Sequence, residues 1–89
     1  MLRERTIDDD PQAVALQALA WTLSDDARAQ RFLALTGIDA GQLRDHAGDP
    51  ATLDAVLGFL EAHQPDLIAC AEDLGLAPER LVAARQKLS

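Results

Sequence analysis

Residues 10–24 read DPQAVALQALAWTLS, a run that as a helix is apolar on most of its sides. Asp10 is a good N-cap, and Pro11 suits the first helical position, where its missing N–H would have had no partner anyway. Beyond them Ala13, Val14, Ala15, Leu16, Ala18, Leu19, Ala20, Trp21 and Leu23 leave only Gln17 and Ser24, seven residues apart, to form a wet stripe with Asp10. A helix apolar on most sides has to be covered on most sides, which places it in the middle of a bundle. The Leu16, Leu19, Leu23 seam is expected to face the core, with Val14, Ala18 and Trp21 along its edge. Trp21 is then either core or, if exposed among apolar neighbours, the anchor of an interface, because Trp is enriched among binding hot spots.

Beyond this helix the punctuation predicts five more. Ser24 is expected to cap the second, with Asp25 and Asp26 in its first turn and Ala29, Phe32, Leu33 and Thr36 on its inner face. Gly37 ends it, since glycine enters the left-handed exit conformation at little cost. Asp39 then caps a short third helix over residues 40–47, with Gln42 at the capping-box position and Leu43 and Ala47 turned inward. Gly48, Asp49 and Pro50 compress an exit, a cap and a first helical position into three residues. The fourth helix points Leu53, Val56, Leu57, Phe59 and Leu60 inward and Asp54 and Glu61 outward on one stripe. Pro65 interrupts the pattern, and a fifth helix follows with Leu67, Ile68, Cys70, Ala71 and Leu74, closed by Gly75. Pro78 and Glu79 open the last, with Leu81, Val82, Ala84 and Leu88 inside and Arg80, Arg85 and Lys87 outside or near its C-terminal end. Gly37-Ile38 with Leu43 recurs thirty-eight residues on as Gly75-Leu76 with Leu81. Two Schellman exits account for the recurrence without an internal duplication.

The expected fold class is therefore all-α, a compact bundle of five to six short helices around the central first helix. Residues 1–9, MLRERTIDD, are charged and aperiodic and read as a flexible N-terminal tail, leaving 10–89 as one helical domain. At 89 residues there is no room for a second core, and stability should be on the order of 5 kcal/mol. The formal charge of −7 disfavours a phosphate backbone or an anionic membrane surface as partner, because both need clustered Lys and Arg. A single cysteine, no apolar leader at the start and no apolar run near the roughly 20 residues of a membrane span read as a soluble protein of the reducing cytoplasm.

Four segments carry a resemblance: VALQALAWTL in the first helix, FLALTGID at the second exit, LRDHAGDPATLDAVLGFLEA around the sharp junction, and the closing GLAPERLVAARQKL. Together, over about residues 13–88, they resemble the alphaproteobacterial family known as domain of unknown function 3572. The pairing of ALAW with a later AGDP and a leucine-rich helix is its most specific element. The resemblance implies a small bacterial cytoplasmic helical protein and assigns a role to no residue.

Catalytic constellations are missing from the sequence. Ser24, Thr36 and Thr52 have capping or helix-contact explanations, and most glycines fall singly at helix exits rather than in a phosphate-cradling loop. His46, His63 and Cys70 are the only metal-ligand candidates besides carboxylates, and they lie on different helices. No enzyme, cofactor or metal site is expected; thiol or metal chemistry at Cys70 is retained as an alternative, although no Lys or Arg lies within eight residues to lower its pKa. The second and third helices, joined through Gly37, suggest a helix-turn-helix and hence a small DNA-associated regulator. Against that, the third helix sets Gln42 and Arg44 beside Asp39 and Asp45, and no nucleic-acid partner is expected.

One asymmetry remains. From Asp45 to Glu79 there are eight acids and no Lys or Arg. Asp49, Asp66 and Glu79 sit at helix N-termini, where negative charge stabilises by about 0.3–1 kcal/mol. Apart from Asp45 on the third helix, Asp54, Glu61, Glu72 and Asp73 are left over on the fourth and fifth, either as a solvated face or as a docking surface. The expectation is a non-catalytic adaptor or regulatory domain, monomer or homodimer, that binds a protein with a basic or apolar surface. The candidate contact residues are Asp54, Glu61, Glu72 and Asp73, with Trp21.

Overall fold

A computed structural model describes residues 10–88, and all of its regular structure is helical: α1 (Pro11–Leu23), α2 (Asp26–Thr36), α3 (Ala40–His46), α4 (Pro50–Ala62), α5 (Gln64–Leu74) and α6 (Pro78–Leu88). The tail expected over residues 1–9 lies outside the described residues. Each start has a local cause. Asp10 accepts the Gln12 N–H at 3.0 Å, Asp25 accepts that of Arg28 at 2.9 Å, and Asp39 with Gln42 forms a reciprocal capping box. The cap of α2 is thus Asp25 and not Ser24. Ser24 remains in the helical region at the end of α1, and its hydroxyl donates to the Trp21 carbonyl at 2.6 Å.

The two glycine exits are both left-handed, with φ +76° at Gly37 and +73° at Gly75, but they differ in detail. At Gly75 the Leu76 N–H reaches back to the Ala71 carbonyl at 2.8 Å, the Schellman bond. At Gly37 a single bond runs to the Leu33 carbonyl at 2.9 Å, and the Thr36 hydroxyl takes the Ile38 N–H instead. Only one exit is therefore a Schellman motif. Gly48 is not left-handed at all, and Asp49 makes no side-chain cap bond; its carboxylate pairs with His46 Nδ1 at 3.1 Å. A Cβ at Gly75 would meet nothing within 4 Å, so Gly75→Ala carries only the conformational penalty. It should lower stability by about 1 kcal/mol, read as a shift in urea midpoint with unchanged slope.

α1 and α4 share the centre, each packing on α2, α5 and α6 as well as on the other. From α4 come Leu53, Val56, Leu57, Phe59 and Leu60, all buried as the heptad-like spacing predicts. Of the seam expected on α1 only Leu19 is buried: Val14, Ala15, Ala18 and Thr22 face inward with it, while Leu16 and Leu23 are more than a third exposed. Apolarity all round the helix leaves the choice of face to its neighbours. Ala15 and Ala18, with no exposure, let α4 and α6 approach closely, which a leucine seam would prevent. The Thr22 hydroxyl is satisfied by the Ala18 carbonyl at 2.9 Å. Around this pair, α2 contributes Phe32, α3 Leu43, α5 Leu67, Cys70 and Ala71, and α6 Leu81 and Ala84. Ile68, expected inside, is 44 % exposed.

Candidate functional site

Asp54, Gly58 and Glu61 stand at i, i+4 and i+7 on α4 and so share one face. Across that face lies Arg85 of α6. Its Nε donates to Asp54 Oδ1 and its Nη1 to Glu61 Oε1, each at 3.0 Å. Gly58 leaves room for the guanidinium: a Cβ there would stand 3.2 Å from its carbon. The hydrogen bonds that Arg85 donates to Asp54 and then to Glu61 push its pKa above the ordinary guanidinium value. All three side chains are partly exposed, so each pair contributes only about 0.2–1 kcal/mol to stability.

Beside this cluster an open groove of about 500 Å³ runs between the end of α2 and α4. Leu35, Ala55, Phe59 and Ala62 form its apolar part, and Asp54 and Arg85 its polar edge. Leu35 is 71 % exposed, the most exposed of the large apolar side chains described. Neither the groove nor Arg85 was in the sequence-based site. Signals for both were present: Leu35 falls off the inner face that Phe32 and Leu33 define, and Gly58 stands in mid-helix where it has no turn to make.

The acidic face expected on α4 and α5 is partly matched by cations from other helices. Arg85 holds Asp54 and Glu61, and Arg31 of α2 pairs with Asp66 while lying 5.3 Å over the Phe59 ring. Asp73 accepts the Trp21 indole N–H at 2.6 Å, which ties α5 to α1. Trp21 itself is half-buried and neither core nor open anchor. The Arg28 guanidinium stacks 3.5 Å above its ring and donates to its carbonyl at 2.6 Å and to Ser24 Oγ at 3.1 Å. Arg28 Nε is buried without a hydrogen-bond acceptor among the described residues, and the stacking offsets part of that cost. Glu72 is exposed on α5 with no ion pair among the described residues. The five candidates thus separate into Asp54 with Glu61, Trp21 with Asp73, and Glu72 alone.

Cys70 is fully buried, and burial pushes its thiol up to about 12. Nearby Arg28 pulls the other way, but Asp73 and Asp66 add to the rise. At pH 8 the native thiolate should be about a thousandfold scarcer than for a thiol at the ordinary value. A thiol reagent is expected to label the native chain slowly and the urea-unfolded chain fast; equal rates would contradict the burial. Because the folded value is raised, this thiol supports stability below the unfolded pKa, and that support is lost as pH climbs from about 9 towards 12. Among the described residues no three His, Cys, Asp or Glu side chains are placed to share a metal ion. His46 and His63 are both exposed, His63 at the junction of α4 and α5. No helix among the described residues is long and apolar enough to cross a membrane.

A family model described as protein of unknown function (DUF3572) matches residues 8–89, nearly the whole chain. Neither the curated proteins nor the solved structures contain a match.

Proposed function

We propose that this chain, which belongs to the DUF3572 family, is a non-catalytic helical adaptor or regulatory module that binds another protein in the groove between α2 and α4. The observation that carries the reading is Leu35, 71 % exposed on the wall of an open groove whose other apolar members are Ala55, Phe59 and Ala62. Fully burying one such leucine is worth about 1.5–3 kcal/mol, and a hydrophobic centre with a charged rim is the usual anatomy of a protein interface. The buried, protonated Cys70 gives no support to thiol chemistry and suits a reducing cytoplasm. The DNA-associated reading finds less support, because α3 is seven residues long and sets one Arg against Asp45 and its capping Asp39.

Leu35→Asp places a charge in the groove without touching the core, so the fold should be kept. In affinity purification from the native cell with mass spectrometry, a partner held by the wild type and by a Gln17→Asp control should be missing from Leu35→Asp. The same partner list for all three chains, or none for the wild type, would refute the groove as a contact surface.

A further inference from the structure

We propose that the groove takes an amphipathic helix of the partner, with apolar residues on Leu35, Ala55, Phe59 and Ala62 and a Lys or Arg joining Arg85 on the Asp54 and Glu61 carboxylates. This rests on the protein-binding reading and adds the partner's chemistry. Charge is the first argument. Two carboxylates face one guanidinium, and each gives Arg85 a single oxygen. Asp54 Oδ2 and Glu61 Oε2 accept nothing from the described residues, although an ionised carboxylate has about four acceptor positions. The local set is one negative charge in excess on a chain of formal charge −7, and α4 and α5 contain no Lys or Arg at all. An acidic helix would be repelled here and a basic one drawn in.

Position is the second. Asp54 and Arg85 line both the groove and a neighbouring depression of about 290 Å³ that Glu61 also lines. Asp54 therefore stands where the two meet, with Glu61 on the side of the smaller depression, and a cation seated on Asp54 can belong to the same ligand that fills the apolar part. Shape is the third. Ala55 and Ala62, two turns or about 10 Å apart, keep the groove side of α4 low beside the Arg85 guanidinium that covers Gly58, which lets a second helix approach closely. None of the described residues forms a strand, so no sheet edge is on offer to an extended peptide.

The test selects a display library of helical peptides, randomised at both apolar and polar positions, on the intact chain. Enriched peptides are then titrated by fluorescence anisotropy against the wild type, Leu35→Asp, and Asp54→Asn with Glu61→Gln, each variant first checked for native helicity. The expected peptides carry apolar residues at i and i+4 flanked by Lys or Arg. They should bind both variants at least about tenfold more weakly, with the gap for the carboxylate variant closing at high salt. Peptides without a basic bias that still lose affinity on Leu35→Asp would overturn the charge inference and leave the groove reading standing. Peptides indifferent to Leu35→Asp, or no enrichment, would overturn both.

Discussion

Phe32→Ala is expected to cost about 3–5 kcal/mol, which for a chain this small leaves much of the population unfolded at room temperature. Phe32 is the only buried side chain of α2, and it has no exposure. Its ring meets Phe59 of α4 edge-on at 5.4 Å between centroids and 77° between planes. Truncation removes both the buried area and that aromatic contact, and among the described residues there is no Met to refill the void. Urea titration followed by far-UV circular dichroism measures the loss. Because Phe32 and Phe59 also fix the spacing of α2 from α4, the groove should go with the fold. A loss below about 1 kcal/mol would mean that α2 is not anchored at this point, and Leu35 would no longer be held at a groove wall.

Gly58→Leu is expected to do the reverse: keep the fold and abolish binding. A Cβ alone would come within 3.2 Å of the Arg85 guanidinium, so a leucine displaces Arg85 from Asp54 and Glu61 and lies in the groove itself. Replacing glycine inside α4 by a good helix former gains about 1 kcal/mol, which offsets the lost surface ion pairs. Stability should change by no more than about 1 kcal/mol, while recovery of a groove-bound partner falls at least about tenfold. The contrast with Phe32→Ala matters, since here loss of binding comes without loss of structure. Full retention of the partner would place the contact elsewhere.

The helix boundaries were legible because they are written in local chemistry. Pro11, Asp39 with Gln42, Pro50, Gly37 and Gly75 each act on their own neighbours, and each does in the structure what its residue type demands. Misreadings fall where two residues of the same kind compete or where tertiary contact decides. Ser24 and Asp25 are adjacent capping residues, and the charged one took the position. Along α1, leucines and alanines alternate so evenly that periodicity selects no face; close approach by α4 and α6 selected the alanines.

The candidate site was less legible for a related reason. Counting charges along the chain made α4 and α5 an uncompensated acidic surface, yet Arg85 and Arg31 arrive from helices remote in sequence. The stripe of Asp54 and Glu61 was visible at its seven-residue spacing. What it holds depends on how α6 crosses α4, and Gly58 is the one trace of that crossing in the sequence. Trp21 was similarly ambiguous, because its partners Arg28 and Asp73 lie on two other helices.

The most direct test of the groove as a protein-binding surface is site-specific photo-crosslinking in the native cell, with a benzoylphenylalanine in place of Leu35 or, as a comparison, in place of Gln17, exposed on α1 away from the groove. A discrete higher-mass adduct at position 35 and none at position 17 is the predicted result. No adduct at 35, or the same adducts at both positions, would contradict it.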